Sequence, residues 1–342
     1  MEFHFNEVFE HMMKLHNLDT VILLGHINPD GDASGSVMGL SHYIDTVYPE
    51  YRAIPFLAGN LDKGTGKFVR SDQIFDPFSA PKEKNYGVIV CDTATKARIY
   101  GYEIYEKAEG SIVIDHHRSN EGYGEVNNTC RSEACCENIF HMLDWKRWLD
   151  AGKTSRSGDG IHPNAADYIY MGILHDTECF SRAKLRTFEA AAGLLKLGVD
   201  HNYVMGTMHT RTFEELKKVS QLYQMAECTD DGKTAYVVID RHTADEKAIS
   251  YEDIQPVSGC LRDCEDLEIG FTMFEEEPGA WRCSFRSDGK RINVNDLLRP
   301  FGGGGHAGSA GLRIRTDNIE KLKQQILELM AEVKDGRFIS CT

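Results

Sequence analysis

The sequence predicts an α/β protein, a doubly wound and mainly parallel sheet followed by a smaller α+β domain. Two observations predict it. The apolar runs Val21–Leu24, Tyr86–Cys91 and Ser111–Ile114 suit strands buried on both faces, and stretches with helical periodicity separate them. Strands alternating with helices in this way imply right-handed crossovers and a parallel sheet. Beyond about residue 230 a second set of strands begins, Lys233–Asp240, Leu267–Phe274 and Trp281–Arg286, the last alternating in and out. The expected division is residues 1–198 for the first domain, 199–230 for a helical connector and 231–342 for the second domain, with an active-site cleft between the domains.

Taken in order, Met1–Thr20 reads as an amphipathic helix with Phe5, Val8, Met12 and Leu15 on one face. Ser36–Tyr48 reads as a helix stopped by Pro49, and Ala53–Leu57 as a weak strand. Further helices are expected over Ala97–Ala108, Glu133–Leu149, Ala165–Leu174 and Leu185–Leu197, with Ala151–Pro163 a polar surface loop. The connector carries Phe213, Leu216, Val219, Leu222 and Tyr223. In the second domain, Ile292-Asn293-Val294 leads to a helix holding Leu297 and Leu298. The glycines Gly302–Gly305 and His306 follow, then a terminal helix, Asn318–Val333. There is no internal repeat.

Composition narrows the function classes. At 342 residues, 41% hydrophobic and 27% charged, the chain is an ordinary soluble globular protein with room for two cores. No apolar run approaches membrane-spanning length, and the first twenty residues lack the basic start and apolar core of a signal peptide. The ten cysteines form no framework, with Cys135 and Cys136 adjacent and Cys260 and Cys264 not at zinc-ribbon spacing, so reduced thiols and a cytoplasmic location are expected. A formal charge of −15 argues against coating long duplex nucleic acid through a basic surface, and no membrane partner is expected. It leaves open a small phosphorylated substrate held through metal ions, whose charge dominates the local field.

The chemistry begins in Val21–Gly39. His26, Asp30 and Asp32 crowd one imidazole and two carboxylates into seven residues at the carboxyl end of a strand, where open α/β sheets hold ligands. Carboxylates that close repel unless something positive stands between them. Asp92, the run Asp115-His116-His117 and Asp176 end later elements in the same way. Each cluster alone has an ordinary reading. Asp-Gly-Asp is a turn, Asp92-Thr93 a helix cap, a His-His pair a hydrogen-bonded surface feature and a glycine run a flexible turn. Their joint occurrence at successive element ends selects a metal centre. Carboxylates mixed with imidazoles suit two octahedral-leaning divalent cations, Mn²⁺ ahead of Mg²⁺. Two such ions, roughly 3.5–4 Å apart, can clamp the entering and leaving oxygens of a phosphoryl displacement.

The segments HINPDGDASGS, CDT (Cys91–Thr93), DHHRSN and GILHDT resemble the ordered motifs of the DHH phosphoesterase superfamily. SFRS (Ser284–Ser287) and FGGGGHAGSAG (Phe301–Gly311) are similar to its DHH-associated domain. Within the superfamily the wording resembles the bifunctional oligoribonuclease/PAP phosphatases, or nanoRNases, which cut very short RNAs to mononucleotides and convert 3′-phosphoadenosine 5′-phosphate to AMP. The resemblance implies one metal on His26, Asp30 and Asp92 and a second on Asp32, Asp92, His116 and Asp176, with Asp92 bridging. It implies a catalytic role for His117 beside the scissile phosphate, with Asp92. Asp115 would brace the motif's backbone, and Asn120 would fix the loop. Arg98, Arg286, Gly303, Gly304, Gly305 and His306 would bind substrate, and water would attack in line without a protein nucleophile. A homodimer is compatible with the family. The chain departs from many relatives after Asp176-Thr177, where Glu178-Cys179 stands in place of glycine, which puts the shape of that loop and the substrate fit there in question. Other readings of the same motifs are a cyclic-dinucleotide or pApA phosphodiesterase and a non-catalytic nucleotide sensor. A two-domain inorganic pyrophosphatase fits less well, because GGGGH with SFRS resembles a nucleotide-binding domain.

Overall fold

The structure, a computed structural model, describes residues 3–59, 61–69, 85–120, 122–152 and 163–334, so most of the expected loop at 151–163 lies outside the described residues. The chain divides into two compact units between Thr210 and Arg211. The first runs α1 (Phe5–Leu15), β1 (Thr20–Leu24), α2 (Gly31–Val47), β2 (Arg52–Phe56), α3 (Lys63–Phe68), β3 (Tyr86–Cys91), α4 (Tyr102–Glu106), β4 (Gly110–Ile114) and β5 (Val126–Asn128). It continues through α5 (Cys135–Met142), α6 (Trp145–Asp150), α7 (Ala165–Asp176), α8 (Leu185–Lys196) and α9 (His201–His209).

β1, β3 and β4 are the apolar runs of the sequence, and alternation along them divides the side chains between two layers. Val21, Leu23, Ile89, Cys91, Ile112 and Ile114 pack with α1, α2, α5 and α7. Ile22, Leu24, Val88, Val90 and Val113 pack on the other face with Ile54, Phe56, Ile99 and Ile104. The sheet is wholly parallel among the described strands, in the order β2-β1-β3-β4-β5. The chain winds one way from β1 to β2 and the other way from β3 onward. That reversal opens a crevice outside the carboxyl ends of β1 and β3, which are followed by His26 and Asp92 respectively.

Several boundaries differ from expectation for identifiable reasons. α2 starts at Gly31 rather than Ser36, because the Asp30 side chain caps it by accepting from the amides of Asp32 and Ala33 at 3.0 Å each. Residues 97–108 are not one helix. A short 3₁₀ turn, Lys96–Arg98, is followed by Gly101 at φ +80° and then α4. Residues 133–149 split into α5 and α6 where Asp144 accepts from the Arg147 amide at 3.0 Å and starts a new helix. The buried stripe of α1 is Phe5, Phe9, Met12 and Met13, whereas Leu15 is 58% exposed. β5 was not expected, its three residues being too short and polar for the apolar signal.

α2 is buried almost throughout, and α7 lies directly against it. Glycines permit the approach: a Cβ on Gly35 would stand 2.5 Å from the Tyr168 carbonyl oxygen and one on Gly39 2.6 Å from Ile169, while one on Gly172 would meet Asp32 Oδ1 of α2 at 3.1 Å and Cys136 Sγ of α5 at 2.2 Å. This packing brings the carboxyl end of α7 to the amino end of α2.

The second unit holds α10 (Phe213–Gln224), β6 (Glu227–Cys228), β7 (Thr234–Ile239), α11 (Arg241–Glu246), α12 (Tyr251–Ile254), α13 (Val257–Arg262), β8 (Ile269–Glu277) and β9 (Ala280–Ser287). α14 (Val294–Leu298), β10 (Gly304–His306), β11 (Ser309–Arg315) and α15 (Ile319–Lys334) complete it. The sheet order is β10-β11-β9-β8-β7-β6, with only β7 and β8 parallel. Phe271 and Phe285 stack at 4.7 Å in a core shared with Trp281, Leu297, Leu298 and Ile326. The stretch expected as a connector is divided, α9 belonging to the first unit and α10 to the second. On α10 Val219 and Leu222 are buried, while Phe213 and Leu216 are exposed. No helix among the described residues is long and apolar enough to cross a membrane.

Gly35→Ala is expected to destabilise the protein by about 1–3 kcal/mol, because the new methyl meets backbone rather than a side chain that can swing aside. Gly206→Ala in α9, where nothing lies within 4 Å of the added carbon, is expected to be neutral or to gain up to ~1 kcal/mol. Denaturant melts of the two variants check the contrast, and equal loss in both would contradict it.

Candidate metal centre

The first unit gathers its charged residues at the crevice. After β1 the chain turns at Gly25-His26, and the loop is held by backbone bonds to a later segment, Ile27 N to Arg98 O at 2.9 Å and Tyr100 N to Gly25 O at 2.9 Å. His26 Nε2 stands 3.8 Å from Asp30 Oδ2 and 3.7 Å from Asp92 Oδ2. Asp92 follows β3 with φ +48°, a left-handed conformation in which aspartate is better tolerated than most residues. Its neighbours brace that turn: the Asp92 amide donates to Ile114 O at 2.9 Å, and the Thr93 carbonyl accepts from Asn120 Nδ2 at 3.1 Å and from the Tyr123 hydroxyl at 2.7 Å.

Asp115, after β4, is fully buried and faces its own motif. Its Oδ1 accepts from the amides of His116 and His117 and, at 2.8 Å, from His117 Nδ1, while Oδ2 accepts from Asn120 Nδ2 at 2.7 Å. Burial would raise its carboxyl, but His117 and Asn120 outweigh burial and hold it below the usual range. His116 turns the other way. Its Nδ1 donates to the Ser132 carbonyl at 3.2 Å, and a carbonyl can only accept, so Nδ1 carries a proton and Nε2 is the nitrogen that faces the crevice. There it meets Asp92 Oδ1 at 3.3 Å, Asp176 Oδ2 at 3.4 Å and Asp32 Oδ2 at 3.9 Å.

Asp32 lies in the first turn of α2 and is fully buried, its oxygens accepting from the amides of Cys135 at 2.6 Å and Cys136 at 2.9 Å at the start of α5. Burial first, and then the charges of Asp176 and Asp92, push its carboxyl well above the ordinary range. Burial also raises Asp92, reinforced by Asp30 and Asp176 against the pull of His116. Asp30 is lowered, because His175, His26 and the two capped amides outweigh its burial. His116 is pushed up to about 11 by Asp92, Asp32 and Asp176 in spite of burial. His117 is raised as well, by Asp115 and Asp92 against burial.

These residues fit divalent cations. Four triads each offer ligand atoms mutually within 4.8 Å: His26, Asp30 and Asp92; Asp32, His116 and Asp176; Asp92, His116 and His117; and Asp30, His175 and Asp176. Atoms bound at ~2.1 Å to one octahedral ion stand roughly 3.0 Å apart when adjacent and roughly 4.2 Å when opposite, and the separations above fall in that interval. Asp92 Oδ1 and His26 Nδ1 are buried without a hydrogen-bond partner. A buried carboxylate oxygen with imidazole nitrogens nearby at 3.3 and 3.4 Å but no hydrogen bond is costly unless a cation completes it.

Residues 20–173 match the DHH family, N-terminal domain, and residues 231–332 match the DHHA1 domain. The chain belongs to the DHH family. Enzymes of this family are metal-dependent hydrolases acting on phosphoesters, and this chain is one of them. Among curated relatives it is 27% identical over 319 residues to the bifunctional oligoribonuclease and PAP phosphatase NrnA of Bacillus subtilis, covering 92% of this chain and 96% of that one. It is likewise 27% identical over 301 residues to an uncharacterized protein of Mycoplasma pneumoniae, covering 86% of each. Among solved structures, an exopolyphosphatase-related protein from Bacteroides fragilis superposes with a TM-score of 0.78 at 19% identity, covering 96% of this chain and 97% of that one, which shows a shared fold.

All six residues expected as metal ligands, together with His117, therefore stand in one DHH-type crevice. Arg98 is exposed on the 3₁₀ turn whose carbonyl holds the His26 loop. The remaining expected residues lie in the second unit. Arg286 of β9 is in register with Ser309 of β11, which is in register with His306 of β10, so Arg286 and His306 share one row of the sheet. Arg286 Nη1 donates to Ser284 Oγ at 3.1 Å and to Phe285 O at 3.0 Å. Gly303, Gly304 and Gly305 form a tight turn and the start of β10 rather than a loose loop, Gly303 N bonding Leu298 O and Gly305 N bonding Asn295 Oδ1, each at 3.0 Å.

Two residues at the crevice escaped the sequence reading. His175 precedes Asp176 in the last turn of α7, and Asp62 caps α3 with Oδ2 3.9 Å from His175 Nε2. The signal available for His175 was its neighbour, since it stands within the HDT motif. Nothing in the local sequence marks Asp62. Past Asp176, Glu178, Cys179 and Phe180 all have positive φ, at +48°, +55° and +71°. A loop of that shape favours glycine, and here Thr177 steadies it by accepting from the Phe180 amide at 3.1 Å.

With His116 held at about 11, the metal-free protein carries a proton there at neutral pH, and a cation bound at Nε2 has to displace it. Apparent Mn²⁺ affinity is therefore expected to rise with pH, about tenfold per pH unit for each proton displaced. Calorimetry in buffers of differing ionisation enthalpy should show at least one proton released per chain at about pH 7, and binding without proton release would contradict this role for His116.

Proposed function

We propose that the chain hydrolyses very short oligoribonucleotides to mononucleotides and 3′-phosphoadenosine 5′-phosphate to AMP, with two divalent cations, Mn²⁺ preferred. The observation that carries this reading is Asp92 Oδ1, buried without a hydrogen bond among the carboxylates and imidazoles of the cluster. The substrate class draws support from relatives that bear the oligoribonuclease and PAP phosphatase name across nearly their whole length.

In this reading His26, Asp30 and Asp92 hold one cation, and Asp32, Asp92, His116 and Asp176 hold the other. When bound, the cations supply Lewis-acid stabilisation of charge on the entering and leaving oxygens. The protein's own groups do the rest. His117 has Nδ1 engaged by Asp115 and is biased toward the protonated ring, so it presents positive charge and a proton beside the scissile phosphate. Asp115 and Asn120 keep that ring and the DHH backbone in place. No protein nucleophile is required. The nearby thiols of Cys91, Cys135 and Cys136 are pushed well up by burial and by the surrounding carboxylates, so they are not thiolates and water is the attacking group. Arg98 would receive a substrate phosphate, and Arg286 with Gly303, Gly304, Gly305 and His306 would bind the nucleotide.

A metal-by-substrate panel tests the assignment. Mn²⁺ is expected to stimulate hydrolysis of diribonucleotides, pApA among them, and of pAp well above that of cyclic di-AMP or a fifty-residue RNA. Equal turnover of the two-residue and fifty-residue RNAs would overturn it. Asp92→Ala is expected to lose about 10³-fold or more in rate. His117→Gln is expected to lose roughly 10²–10⁴-fold in kcat while retaining Mn²⁺, and a His117→Gln enzyme as fast as the parent would remove that residue from the mechanism.

A further inference from the structure

The six expected ligands leave one imidazole of the crevice without a function. His175 follows Leu174 at the end of α7, and its ring fills the space beside Gly31, where an added Cβ would stand 2.6 Å from it. Its Nδ1 is buried without a hydrogen-bond partner and lies 3.5 Å from Asp176 Oδ1. Asp176 thus divides its oxygens, Oδ1 toward His175 and Oδ2 toward His116 at 3.4 Å. Asp30 does likewise: Oδ1 caps α2, and Oδ2 is left facing His26 Nε2 at 3.8 Å.

We propose that His175 is a further metal ligand of this centre, binding through Nδ1 a divalent cation held between Asp30 and Asp176. The three residues offer ligand atoms mutually within 4.8 Å, the same closeness found in the two triads assigned above. The orientation of the ring repeats that of His116. In His116 one nitrogen faces the carboxylates while the other is held by the Ser132 carbonyl. In His175, Nδ1 faces the carboxylates while Nε2 faces Asp62 Oδ2 at 3.9 Å. Asp62 is itself fixed, its Oδ1 accepting from the amides of Gly64 at 2.9 Å and Thr65 at 3.0 Å. Its Oδ2 accepts from Thr65 Oγ1 at 2.5 Å, so Asp62 acts on the ring as a nearby negative charge rather than as a hydrogen-bond partner, and such a charge raises the basicity of a metal-binding histidine. An imidazole added to two carboxylates favours Mn²⁺, Co²⁺ or Zn²⁺ over Mg²⁺ or Ca²⁺.

The inference rests on the metal reading above, and the test separates the two. Chelator-treated parent, His175→Ala and His175→Gln proteins are titrated with Mn²⁺ alone, with melts of the metal-free forms confirming that both variants fold. Both are expected to weaken one class of Mn²⁺ about tenfold or more, leaving the others within about twofold. In the Co²⁺-loaded parent, one hyperfine-shifted imidazole N–H signal is expected to vanish in each variant. Variants that bind every Mn²⁺ like the parent, or retain all the shifted signals, overturn the role of His175 alone. A parent that binds no divalent cation overturns the proposed function with it.

Discussion

The constraint on which the rest of the structure depends is the repulsion among carboxylates gathered at one sheet edge. Asp30 and Asp92, Asp30 and Asp176, and Asp32 and Asp176 each bring oxygens within 4.8 Å of one another. At an effective dielectric of about 20, each such pair opposes folding by roughly 3–4 kcal/mol if both groups are ionised. Three pairs together rival the whole stability of a typical domain. Amide donors from α5 and the cap on α2 relieve some of this, and protonated imidazoles relieve more. The amides do not reach Asp92 Oδ1, which is buried and makes no hydrogen bond, with only the rings of His116 and His117 near it at 3.3 and 3.4 Å. Cations resolve the repulsion where the structure leaves it unresolved.

The fold is arranged to make that crowding possible. A parallel sheet directs the carboxyl ends of β1, β3 and β4 to one side, and the reversal between β1 and β3 leaves room there. Asp176 comes from a different layer, the end of α7, and reaches the crevice because α2 and α7 pack closely through Gly35, Gly39 and Gly172. The same α2 supplies Asp30 as its cap and Asp32 in its first turn, so the element that starts the helix also starts the site.

How much of this could be read from the residues differs by element. β1, β3 and β4 were legible because strands buried on both faces are uniformly apolar, and the acidic and histidine clusters were legible because each ends an element, three of them these strands and Asp176 the helix α7. The start of α2 was misjudged since Asp30 and Asp32 look like turn residues; Asp30 instead caps the helix through the amides of Asp32 and Ala33, and Asp32 takes its amide donors from α5, distant in sequence. The breaks at Gly101 and Asp144 were hidden within helical-looking composition. Leu15 shows the limit of periodicity, which marks an apolar face without saying what covers it. His175 was overlooked because its significance lies in three dimensions, where Gly31 gives it room and Asp62, far off in sequence, stands behind it. The glycines at 302–305 gave no sign of a strand, because pairing to β11 comes from backbone geometry.

The most direct measurement is anomalous diffraction at the manganese edge from a crystal of the protein soaked in Mn²⁺. The account requires two peaks roughly 3.5–4 Å apart with the Asp92 carboxylate between them, one contacting His26 and the other His116. Manganese absent from this crevice at saturating concentration, or bound without Asp92, would contradict it.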